Sequence, residues 1–189
     1  MNKKIIILVS SIIIIGLIIG GIFYISKNNQ KETVENKTET ATNQSSTSGK
    51  STVEYISGNK NISTFYDNLD KAGLKSKLEA AGPYTVFAAN NDAFKNLPEG
   101  YSDILFNENN TQALGNVMSY HIAEASLENS NITNGQKIKT LNGQEILVEI
   151  KDGNIYLIDA KGNKAIVKTA NIKTSYGVVH IIDTVLFPQ

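Results

Sequence analysis
The chain contains no cysteine and no tryptophan, only two histidines and three prolines, and no arginine, so that all 18 basic residues are lysine. Each scarcity removes a class of chemistry. Without thiols there is neither a cysteine nucleophile nor a thiolate metal site, and no disulfide framework. Without guanidinium groups the planar fork that reads guanine edges and clamps phosphate is missing, so nucleic acid is not an expected partner. The 18 lysines balance 18 acids; strong electrostatic steering is not expected either. His121 and His180 are the only side chains with an ordinary pKa near neutrality. Neither stands in a zincin, inverted-zincin or Gly-x-Ser-x-Gly pattern, and the acids form no calcium loop. No catalytic residue, no metal and no cofactor is therefore expected.

What is present begins with a long apolar run. Ile5 to Ile25 carries no charge, and about 21 residues at roughly 1.5 Å each match a hydrocarbon core of about 30 Å. We read 1–4 as a cytoplasmic tail and 5–26 as a transmembrane anchor, with a cleaved signal peptide as the competing reading. The polar stretch 27–52, rich in Asn, Thr, Ser, Lys and Glu, has too little apolar surface to offset its ordering entropy and reads as a disordered linker. A domain over 53–189 follows, facing the periplasm or the cell exterior. Linker and domain together carry 16 lysines against 18 acids.

Within the domain, Ile62, Phe65, Tyr66 and Leu69 recur at helical spacing, with Asn61 or Ser63 placed to cap and Gly73 to terminate. Leu74 and Leu78 mark a second helix, stopped by Gly82-Pro83. Tyr84 to Ala88 reads as a strand. Asn90 or Asn91 is placed to cap the next turn, which swings Phe94 inward. Leu114, Val117, Met118 and His121 mark another helix. Beyond them, β-branched runs alternate with Asn142-Gly143, Asp152-Gly153, Lys161-Gly162-Asn163 and Tyr176-Gly177, the dipeptides of tight hairpins. In the run Glu145 to Lys151, Ile146, Val148 and Ile150 mark the dry face. Helices first and strands later indicate an α+β domain.

Three blocks carry a resemblance. "TVFAANNDAFKNLP", the pair Tyr120-His121, and "GVVHIIDTVLFP" are similar, in order and spacing, to the signature blocks of the fasciclin-like domain. The resemblance covers Val53 to Gln189. It implies a wedge-shaped β-sandwich with short helices packed along one side, used in adhesion and matrix contact, with no family-wide enzymatic activity. The family's acid-isoleucine pair, used by animal members in integrin contact, stands here as Asn171-Ile172, and the usual Asn before the last turn glycine is Tyr176. Without the acid, integrin binding is not carried over.

These blocks supply the candidate residues. Thr85, Phe87, Asn91, Phe94, His121, His180 and Asp183 form the expected structural motif, with the first and last blocks as adjacent central strands and Asp183 a candidate partner for a histidine. Tyr120, Asn171, Ile172 and Tyr176 are candidate interaction residues; burial of Tyr120 would assign it to the core instead. The leading functional expectation is a membrane-tethered, non-catalytic interaction module. Its expected partners are another envelope or matrix protein, a polysaccharide or a second copy, besides the membrane contacted through 5–25. Two other readings stay open. A solute- or glycan-binding domain would need a stacking platform from Tyr101, Tyr156 and Tyr176. An envelope hydrolase would need a cleft joining a histidine to an acid and a hydroxyl.

Overall fold
The computed structural model describes residues 49–107 and 110–189. The expected tail, the anchor at 5–26 and the linker up to residue 48 lie outside the described residues. Among those described, no helix is long and apolar enough to cross a membrane.

The first helix, α1 (Thr52–Gly58), starts from a complete capping box: Ser51 Oγ accepts the Glu54 N–H, while Glu54 Oε2 accepts the Ser51 N–H at 2.6 Å. Thr52 is fully buried and its hydroxyl meets that of Thr174 at 2.8 Å; Lys50 O accepts the Ser175 N–H. Lys50 to Thr52 thus belong to the fold, and the linker boundary expected at residue 52 moves back. Short helices follow: α2 (Ser63–Lys71), α3 (Lys75–Glu79), then, after the first strand, α4 (Asn91–Lys95), α5 (Tyr101–Phe106) and α6 (Thr111–Tyr120). Ile56, Phe65, Leu69 and Met118 from α1, α2 and α6 are completely buried.

The strands are β1 (Tyr84–Ala89), β2 (Ile122–Ala123), β3 (Lys137–Lys139), β4 (Glu145–Lys151), β5 (Asn154–Ile158), β6 (Lys164–Thr174) and β7 (Gly177–Ile182). They form one seven-stranded sheet in the order β2-β1-β7-β6-β5-β4-β3. This corrects the expected two-sheet sandwich. β6 is long enough to pair with β5 through Lys164–Ile166 and with β7 through Val167–Thr174, and register shifts between Val167 and Thr169 and between Thr169 and Ile172 bend it. Bulges raise local twist and turn a sheet through a corner, so the sheet curls on itself. Its two edges nearly meet: the Leu141 N–H, just beyond β3, donates to Ile122 O of β2 at 2.7 Å. The result is an almost closed, mixed barrel.

At the middle of the sheet β1 and β7 run parallel, Thr85 beside Val178 and Phe87 beside His180. Every β1 residue is buried, as expected of a parallel pair covered on both faces. The backbones approach closely where β7 begins: a Cβ on Gly177 would lie 1.8 Å from Tyr84 O, and one on Gly82 2.2 Å from Tyr176 O. The hairpin at Asp152 and Gly153 has φ of 51° and 77°, the left-handed pair that a two-residue turn requires. Ile150, expected on the dry face of β4, is 37 % exposed because it lies beside this turn, where the barrel ends.

Candidate functional site
The two asparagines after β1 divide their work in a way the sequence left open. Asn90 is the N-cap of α4, its Oδ1 accepting the Ala93 N–H at 2.8 Å. Asn91, expected to cap that turn, instead faces α2. Its Oδ1 accepts the Thr64 N–H at 3.0 Å and its Nδ2 donates to Lys60 O at 2.7 Å. α2 has no side-chain cap of its own, from Asn61, Ser63 or otherwise; Asn91 supplies it from 27 residues away. Phe94 and Phe87 are buried as their block implies.

The histidines are sealed. His121 Nδ1 lies 2.8 Å from Val117 O, which can only accept, and Nε2 lies 3.0 Å from the Leu186 N–H, which can only donate. The ring is thereby held in its neutral Nδ1–H form, and burial pulls its pKa down to about 4. Phe65 meets it edge-on at 5.6 Å. His180 stacks on Phe87 at 5.7 Å and donates from Nε2 to Leu127 O at 2.7 Å; burial lowers its pKa as well. Asp183 partners neither ring. Its Oδ1 accepts the Ile166 N–H at 2.8 Å and its Oδ2 lies 3.4 Å from Lys168 Nζ, so its carboxylate ties β6 to the end of β7.

Two candidate interaction residues are corrected by burial. Tyr120 is fully buried, with its hydroxyl donating to Glu145 O at 2.8 Å, and burial pushes the phenol up to about 12. Ile172 is 2 % exposed and belongs to the core. Asn171 sits at the β6 bulge with a φ of 59°, a left-handed conformation that asparagine tolerates. Its Oδ1 accepts the Asn129 N–H at 2.7 Å. Tyr176, at the β6–β7 turn, is 39 % exposed.

A feature that sequence reading missed gathers these contacts. The segment 124–128, which follows β2, is pinned from beneath by the central strands. Thr85 Oγ1 donates to Ala125 O at 2.6 Å and accepts the Leu127 N–H at 2.9 Å, and His180 holds Leu127 O. The pinned segment walls two clefts. One, of about 420 Å³, opens beside Tyr176 and runs past Ser126 to the Glu128–Lys173 ion pair, 2.9 Å long. The other, of about 630 Å³, lies between this segment and β3. No residue of segment 124–128 marks itself in the sequence, because the segment has neither periodicity nor a motif.

A profile of the fasciclin domain matches residues 60–188. The chain belongs to the fasciclin family. Fasciclin relatives include protein sll1483 of Synechocystis sp., 35 % identical over 136 residues that cover 72 % of each chain. The match to pig (Sus scrofa) transforming growth factor-beta-induced protein ig-h3 is 33 % identical and covers 72 % of this chain but 19 % of that protein. Human periostin is 30 % identical over 74 % of this chain and 16 % of its own length. In these two the fasciclin match spans less than a fifth of the protein. Among solved structures, a fasciclin domain pair from the insect cell adhesion molecule fasciclin I superposes with a TM-score of 0.53 at 21 % identity, covering 68 % of this chain and 46 % of that one; at that identity the likeness concerns the fold.

Proposed function
We propose that this fasciclin domain is a membrane-tethered extracellular module for adhesion or protein interaction, working by contact and catalysing no reaction, with the cleft beside Tyr176 as its contact face. The observation that carries the reading is an asymmetry in the signature residues. Thr85 and His121 spend their side-chain polar atoms, and His180 its Nε2, on backbone groups inside the domain, whereas Tyr176 stands exposed at the rim of a cleft whose wall Thr85 and His180 brace. An exposed tyrosine beside hydroxyls and a paired charge suits recognition of another surface, since tyrosine offers large contact area and a polar tip at low entropic cost. Membership of the fasciclin family, which implies adhesion and matrix contact, is in keeping with it. So is the apolar run 5–25, which would hold the domain at the outer face of the membrane. The partner would be another envelope or matrix protein, a polysaccharide or a second copy.

The glycan-platform alternative loses support because no ring contact joins its three tyrosines among the described residues. Tyr101 is taken up by Phe187, edge-on at 4.2 Å, and by Lys161, and Tyr156 lies in β5 opposite Ile166. The hydrolase reading would require a histidine that can exchange protons with a substrate, whereas His121 has both ring nitrogens bonded inside the domain and His180 is fully buried.

The test is binding of the membrane-embedded chain to envelope and matrix fractions, alongside Tyr176→Ala and Ser126→Arg, which trims and fills the cleft respectively. Both variants are expected to melt as the parent does and to lose about tenfold in affinity. Unchanged recovery of every partner by both would remove the cleft as contact face. Protection of residues 53–189 from external protease on intact cells would overturn the orientation.

A further inference from the structure
We infer that the open seam of the barrel takes up an extended acidic segment of a partner protein, which adds to β3 as an eighth strand. The inference concerns a different cleft from the one beside Tyr176 and stands independently of it.

β3 is an edge strand, paired with β4 alone. Its hydrogen-bonding phase is set by the Val148 N–H donating to Gln136 O and the Thr140 N–H donating to Gln144 O. Because bonded and non-bonded pairs alternate in an antiparallel ladder, Ile138 bonds back to Ile146 while the N–H and C=O groups of Lys137 and Lys139 point away from β4, into the seam. The far side of the seam is β2. There, one bond from Leu141 to Ile122 closes the barrel, and beyond it the edges part into the cleft of about 630 Å³. A strand pairing with β3 would enter this space and find two N–H and two C=O groups that have no backbone partner among the described residues, of the kind that β-augmentation uses.

Charge selects the occupant. Lys77, Lys137 and Lys139 line the cleft against one acid, Glu124. Lys77 engages that acid at 2.8 Å, and Lys137 leans 3.4 Å from Glu145, on the β4 side. Lys139 makes no ion pair among the described residues. The edge therefore reads Lys-Ile-Lys, both lysines exposed and on one face. A second copy pairing antiparallel about Ile138 would set Lys137 opposite Lys139, a like-charge juxtaposition that disfavours self-association. An acid-x-acid strand would set a carboxylate opposite each lysine. The same lysines thus exclude the chain's own edge and admit an acidic one.

The experiment uses the 189-residue chain in mild detergent and fluorescent nine-residue peptides of alternating glutamate and valine, read by anisotropy at low and at physiological salt. Three comparisons accompany it: the lysine–valine peptide, the glutamate peptide N-methylated on the amides of alternate residues so that one edge cannot donate, and the double variant K137E/K139E. The expected result is binding of the glutamate peptide at least about tenfold tighter than the lysine peptide, loss of that advantage on N-methylation, reversed preference in the double variant, and slowed hydrogen exchange at Lys137 and Lys139. Tyr176→Ala should leave all of this unchanged. No binding of the glutamate peptide at low salt, equal binding of its N-methylated form, or an unchanged preference in K137E/K139E would each overturn the proposal. The second of these would reduce the seam to a charged surface without strand pairing.

Discussion
His121 Nε2 accepts the Leu186 N–H at 3.0 Å across 65 residues of sequence, while Nδ1 of the same ring donates to Val117 O at the end of α6. One imidazole thereby fastens the C-terminal segment to a helix, and it does so only while neutral.

Acid should therefore loosen the domain. Folding lowers the pKa of His121 from 6.5 to about 4, so between those values the unfolded chain binds a proton that the native state refuses, and stability declines as pH falls. Across that window the loss is roughly 3 kcal/mol, with His180 acting in the same direction. Urea denaturation at pH 7 and at pH 4.5 measures it. His121→Ala should be less stable at pH 7 by about 2–4 kcal/mol and show a shallower acid limb; an unaltered acid limb would assign the effect elsewhere.

Phe87 and Phe94 anchor the first signature block in the core, Phe87 stacked on His180. Truncation of either to alanine should cost about 3–5 kcal/mol. Thermal melts would show a drop of many degrees, and a shift of only a degree or two would contradict the packing.

The neighbouring asparagines should separate in a double-mutant comparison. Asn90→Ala removes one cap bond and should cost about 1 kcal/mol. Asn91→Ala strips the Thr64 N–H and Lys60 O of their shared partner, and it should cost about 1–3 kcal/mol. Equal effects in chemical denaturation would mean that the bridge to α2 is weaker than its geometry implies.

Gly177→Ala should be more damaging than its size suggests. The added methyl would meet Tyr84 O at 1.8 Å, and backbone there cannot yield without parting β1 from β7. A loss of about 3 kcal/mol or more is expected, seen as a low melting temperature or failure to accumulate. A parent-like melt would place the two strands farther apart.

Local patterns in the chain were enough for some elements. The helical stripe of Phe65 and Leu69, the strand at Tyr84–Ala89 and the turn at Asp152-Gly153 follow from periodicity and turn chemistry, which act over a few residues. The roles of single polar side chains were not legible in the same way. Asn91 and Asn90 look alike as caps in sequence, and the choice depends on α2 arriving alongside. Asp183 looked like a histidine partner at three residues' distance, but it bonds across the sheet to Ile166 instead. Ile172 and Tyr120 sit in motifs associated with recognition and are core residues here, because burial is set by what packs over them.

Composition and motif order by themselves determined the family, the α+β class and the exclusion of thiol and guanidinium chemistry, since these depend on which side chains exist at all. Only the tertiary structure decided that the sheet is a nearly closed barrel, that segment 124–128 is braced into a wall, and that two clefts flank it. The wall arises from bonds between residues 40 and 53 positions apart, Thr85 with Ala125 and His180 with Leu127, and the centre of the barrel from β1–β7 pairs such as Thr85 with Val178; long-range pairing leaves no local period for a sequence to display.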